Sequence, residues 1–151
     1  MNRLIKPLKK ANLLLLSGMW VLVLMVYSDL PKIIPTHFNS SGDADRFGKK
    51  TLIWTLPAVA AVLLLFLDYL AERPQSPLLS IPDAMRQQPD MVKLFVGCLT
   101  TTMLLIFFSI CLEVVATDGF RLDLGFAIPA LLFLLFAFYL KINTIARRRR
   151  L

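Results

Sequence analysis

The sequence has few of the side chains that carry chemistry. Its 151 residues include one histidine, His37, and two cysteines, Cys98 and Cys111. The cysteines lie thirteen residues apart in one apolar run, which on a helix is about 20 Å of rise and nearly opposite faces. They cannot bridge each other within such a helix, their spacing fits no zinc pattern, and both are expected to be small apolar fillers. A catalytic zinc site needs three protein ligands, and one histidine with two remote cysteines does not supply them. Gly-x-Ser-x-Gly is missing too. With no nucleophile, metal set or acid pair converging, a membrane enzyme or transporter is the last of three functional expectations. No cofactor and no metal are expected.

Charge is also missing from long stretches. Ala11–Tyr27, Thr51–Leu67, Leu94–Leu112 and Leu124–Leu140 carry none over 17, 17, 19 and 17 residues, against the roughly 17–25 needed to cross a bilayer. Flanking Lys, Arg and Tyr can snorkel to complete each span. Backbone groups in lipid must be paired internally, so these runs predict helices; the alternation of a barrel is not present. The 57% hydrophobic share and mean hydropathy of +0.67 place the chain among integral membrane proteins, not soluble domains. Its net charge of +7 sits beside the apolar runs, where it orients helices; nucleic acid is not an expected partner. The first run is too long for a secretory leader, and Val26-Tyr27-Ser28 is a poor cleavage site, so it is read as a retained helix.

The expectation is therefore an all-α integral membrane protein of four transmembrane helices in one domain. The spans fall at about 11–28, 51–70, 92–114 and 123–141, with an outer loop at 29–50 and a cytoplasmic loop at 71–91. Placing both termini inside puts twelve of seventeen bases in the cytoplasm, as the positive-inside rule favours. Arg147–Arg150 then locks the topology and attracts anionic lipid. Pro82–Gln88 reads as a short interfacial helical turn, Pro89-Asp90 as the cap of the third span, and Thr117-Asp118-Gly119 as a tight outer turn. Leu56-Pro57-Ala58 echoes Ile128-Pro129-Ala130, as a duplicated helical hairpin would leave it. Membrane helices tolerate proline in any case, so a kink near Pro57 and near Pro129 is the firmer expectation.

The loop holds most of the remaining polar chemistry. Asn39, Ser41, Asp43 and Asp45 alternate oxygen-bearing side chains, but the glycine and glutamate positions of a calcium loop do not fit. Turn residues bonding local backbone are the simpler expectation. Asp68 and Glu113 stand at span ends as anchors, Glu113 within reach of Arg46, Lys49, Lys50 or Arg121. Thr100, Thr101 and Thr102 offer hydroxyls for interhelical bonds.

The string Pro31, Pro35, His37, Phe38, Asn39, Gly42, Asp45, Gly48 and Lys50 resembles the signature of a bacterial membrane domain of unknown function. That domain opens the sporulation-delaying-toxin immunity family. The resemblance spans roughly Asn12–Leu70, while the polar motif of the immunity proteins' later helices is not recognised here. It implies a folded outer cap in the bacterial cytoplasmic membrane and no catalytic activity. In that cap the prolines stiffen the entry, the glycines permit tight turns, and His37, Asn39 and Asp45 bond one another and the backbone. Phe38 or Phe47 packs on the helix ends. The leading expectation is that this loop binds a peptide or an envelope component in an immunity or signalling role. The alternative is an accessory subunit that stabilises a larger membrane complex.

Overall fold

The computed structural model describes residues 2–39, 41 and 43–115. The predicted fourth span (123–141), the Thr117–Gly119 turn, Pro129, Arg121, Arg147–Arg150 and Gly42 lie outside the described residues.

Three helices are long and apolar enough to cross a membrane: Leu4–Val26, Lys50–Ala71 and Pro89–Val115. Helix α1 runs Asn2–Val26 over 25 residues, about 37 Å at 1.5 Å per residue, and so outruns a hydrocarbon core of roughly 30 Å. It starts well before residue 11 because a helix need not end where its apolar run ends. Lys6, Lys9 and Lys10 ride on its first turns. Helix α2, Thr55–Ala71, follows a 3-10 turn at Lys50–Trp54. Pro57 is the third residue of α2, among the first-turn positions whose N–H groups have no partner within an α-helix. The 3-10 turn stands just ahead of it. Helix α3, Asp83–Arg86, is the predicted interfacial turn, and α4 runs Pro89–Val115.

Helix α4 lies against both α1 and α2, which touch each other less. Two apolar clusters hold the bundle, called outer for the one at the hairpin end and inner for the one at the far end. The outer one joins Met19 and Val23 of α1, Ile53, Ala60 and Leu64, and Leu104, Cys111 and Val114 of α4. The inner one joins Leu67, Leu70 and Ala71 to Leu79, Ile81, Met85, Val92 and Val96. The 72–82 connection is tied down by Arg86, whose guanidinium donates to the carbonyls of Pro74 (2.9 Å), Ser76 (3.1 Å) and Leu79 (2.7 Å). Below the inner cluster Lys9 lies 3.6 Å from both Asp68 and Glu72, and Lys93 lies 2.6 Å from Glu72. These ion pairs link the inner ends of all three helices. Asp68 is therefore a partner of α1 as well as an anchor. The Lys93 ammonium first, and Lys9 after it, holds the Glu72 carboxyl below its ordinary value.

The all-α expectation needs one correction. The outer loop folds into an antiparallel hairpin of β1, Ile33–Phe38, and β2, Ala44–Lys49. Proline at position 35 and two register shifts interrupt the two-residue alternation by which strands are recognised in sequence.

Candidate functional site

The hairpin is held by its own strands, by the helices beneath it and by Lys50. Ile34 is 2% exposed and, with Phe38, joins the outer cluster beside Ile53 and Val114. Of Phe38 and Phe47, one of which was expected to pack on the helix ends, it is Phe38 that does so; Phe47 is 63% exposed. Beneath β1, a largely apolar cavity of about 260 Å³ is lined by Ile34, Phe38, Leu52, Leu56, Ile110 and Val114, among others. Gly48 faces this side. A Cβ there would stand 2.7 Å from a Leu52 methyl and 2.8 Å from that of Thr36, so the close approach of hairpin and 3-10 turn excludes larger residues.

Lys50 closes the base. Its Nζ donates to the carbonyls of Tyr27 (3.0 Å) and Leu30 (3.3 Å) and lies 4.7 Å from the centre of the Tyr27 ring. Those carbonyls trail α1, where the negative end of the helix dipole favours a cation, and the ring face adds to the attraction. Tyr27 in turn lies 5.3 Å from Trp54, which lies 5.9 Å from Trp20. Aromatic side chains such as these favour a membrane interface.

At the far end the two register shifts, between Pro35 and His37 and between His37 and Phe38, re-aim side chains as bulges do. They bring His37 Nδ1 to 2.5 Å from Asp45 Oδ1. A carboxylate only accepts, so the proton of this bond is on Nδ1. The hydrogen bond from His37 is the main cause that holds Asp45 below its ordinary value. Asn39 Oδ1 accepts from the backbone N–H groups of Ser41 and Asp43, both at 2.9 Å, while Asn39 N–H donates to the Asp43 carbonyl. The tip is thus an Asx-type turn closed on both sides.

The structure therefore brings His37 and Asp45 into one pair and gives Asn39 a separate task in the turn. It sets Pro35 opposite Phe47 and leaves Pro31 exposed ahead of β1. Among the described residues no three His, Cys, Asp or Glu side chains come together to hold a metal ion.

Outside the loop, two expectations change. Of the three threonines only Thr101 bonds across helices, donating to Asn12 Oδ1 at 2.6 Å; Thr100 and Thr102 bond carbonyls of their own helix. Glu113 meets none of Arg46, Lys49 or Lys50, and its Oε2 is buried without a hydrogen-bond partner among the described residues. Cys98 and Cys111 are free thiols, Cys111 fully packed, as fillers are expected to be.

Asn12 has a larger role than its place in the sequence indicates. It is 4% exposed and also donates from Nδ2 to the Gly97 carbonyl at 3.3 Å. A lone amide near the start of an uncharged run is the signal that marks such a residue, because an unpaired amide in hydrocarbon is costly. Gly97 lets the helices close in, since a Cβ there would lie 2.6 Å from Leu8 on α1.

A family model described as a domain of unknown function, DUF1648, matches residues 14–61. The match takes in the second half of α1, the whole hairpin and the start of α2. An uncharacterized protein of Archaeoglobus fulgidus is 40% identical over 57 residues, which are 38% of this chain and 31% of that protein. The chain thus spans about a third of that relative's length. No solved structure matches. Neither similarity bears on toxin immunity.

Proposed function

We propose that this chain is a non-enzymatic, four-span protein of the bacterial cytoplasmic membrane with both ends inside. Its outer hairpin binds a peptide or envelope component in a role of the immunity or signalling type. The observation that carries this is the outer face of the hairpin. Ile33 and Phe47 are 64% and 63% exposed there, with Lys32, Arg46 and Lys49 exposed around them. Exposed apolar side chains rimmed by charge mark interaction surfaces. This face is held rigid from below by Ile34, Phe38 and Lys50, so a ligand meets a surface already ordered.

The test is photocrosslinking in living cells. A photoreactive phenylalanine analogue at position 47 should give an adduct with a peptide or envelope component, and the same analogue at Leu65 on α2 should not. Adducts confined to position 65, with an integral membrane protein recovered in equal amount in mild detergent, would replace this proposal by the accessory-subunit alternative.

A further inference from the structure

The two edges of the hairpin are not alike. The Lys50 N–H donates to the Lys32 carbonyl at 3.0 Å. In an antiparallel ladder bonded and non-bonded pairs alternate. The pair Ile34 and Gly48 is therefore bonded across the hairpin, whereas Ile33 with Lys49 and Pro35 with Phe47 turn their backbone groups off the sheet. On the β1 edge the outward donor of residue 35 is missing because it is proline, a device that blocks strand addition. On the β2 edge Phe47 and Lys49 keep both donor and acceptor, and Asp45, Arg46, Phe47 and Lys49 are all exposed.

We propose that β2 is the pairing edge for a second copy of this chain. The β2 side chains are self-complementary about Phe47. Antiparallel pairing centred there sets Phe47 against the partner's Phe47 and brings each Lys49 beside the partner's Asp45, the extra residue of the bulge that ends the regular part of β2. An aromatic pair flanked by two opposite-charge pairs is a favourable cross-strand set. Lys49 makes no ion pair with any described residue, and the Asp45 bond to His37 uses only Oδ1. The symmetry also fits. The two-fold axis relating two antiparallel strands is perpendicular to their sheet. Ile34 and Phe38 rest on the hairpin-side ends of the bundle, and with the sheet lying across those ends that axis runs along the membrane normal, the direction required of two copies inserted the same way up. Pairing joins two hairpins into a four-stranded sheet, which has more independent stability than two strands, and makes their outer faces continuous.

The experiment uses the full chain in native membranes with Cys98→Ala and Cys111→Ala. Phe47→Cys should oxidise to a species of twice the mass, since a bonded antiparallel pair holds its Cα atoms about 5.5 Å apart, within the disulfide range of roughly 4.4–6.8 Å. Ile33→Cys, equally exposed but on the β1 side, should stay monomeric. Adding Lys49→Asp to Phe47→Cys should abolish most of the dimer while leaving the yield of the chain in the membrane fraction unchanged. No dimer from Phe47→Cys, equal dimer from Ile33→Cys, or a dimer indifferent to Lys49→Asp would each overturn the proposal. Ligand capture by the outer face reads out separately, as adducts that are not multiples of the chain's own mass.

Discussion

His37 donates to Asp45 across a bulged end of the hairpin, and glutamine can keep that donation because it retains N–H groups. His37→Gln is accordingly expected to loosen the hairpin slightly, and Asp45→Ala to loosen it more. Protease cleavage between residues 39 and 43 is the measurement, and equal rates in both variants would mean that the pair does not hold the tip. The sign with pH follows from Asp45. Its carboxyl is held below its ordinary 3.8 in the folded hairpin, so its contribution is present above that value and is lost as pH falls through the depressed folded value. Cleavage of the wild-type tip should therefore rise on acidification below about pH 4, and that rise should be smaller in Asp45→Ala. Lys50 acts through different chemistry. Lys50→Met keeps the stem but removes the cation from the end of α1, and should cost about 0.3–1 kcal/mol, read as a lower melting temperature in detergent.

At the scale of elements, the polar part of the contact between α1 and α4 rests on one amide, one hydroxyl and one glycine, beside the apolar packing of Met19 and Val23. Asn12→Leu removes both cross-helix bonds but leaves Thr101 bonded to Gly97 of its own helix at 2.9 Å. The expected loss is about 0.6–2 kcal/mol, the range for polar contacts between membrane helices. Gly97→Leu should cost more, because its side chain has to displace Leu8 and the close crossing around it. Thermal unfolding in detergent ranks the two, and a Gly97→Leu chain as stable as wild type would show that the crossing can relax. The helices were legible in the sequence because a bilayer demands long uncharged runs, and α2, α3 and α4 end close to where charge and proline place their limits. The start of α1 was not, since nothing in Lys6, Lys9 or Lys10 distinguishes helix from loop once the apolar run has ended. The loop was legible as a cap but not as a hairpin. Pro35 and the two bulges erase the alternation, and Gly48 is explained only by the Leu52 and Thr36 methyl groups it faces. Asn12 and Arg86 escaped because their partners, Gly97, Thr101 and the carbonyls of 74–79, come from folding and not from any short motif.

For the whole molecule, the ion pairs of Lys9, Lys93, Asp68 and Glu72 and the aromatic cluster of Trp20, Tyr27 and Trp54 mark opposite ends of one bundle. With the first end inside, a cysteine at position 43 in a chain lacking Cys98 and Cys111 should react with an impermeant reagent in intact cells, whereas one at position 75 should react only after lysis. Labelling in the reverse order would invert the topology. The Lys50 contact with Tyr27 and Leu30 has a consequence for biogenesis. The carbonyls of Tyr27 and Leu30, which follow the first span, wait for a cation that opens the second, twenty-three and twenty residues later. During synthesis α1 is then expected to keep an open end until the hairpin and Lys50 have followed it, so that the first two spans mature together as one insertion unit. Nascent chains stalled so that Lys50 is still inside the insertion machinery should show α1 sliding in depth, by glycosylation mapping or crosslinking to lipid. Chains stalled a few residues beyond Lys50's emergence should show it fixed, and Lys50→Met should delay that fixing until more of α2 has followed.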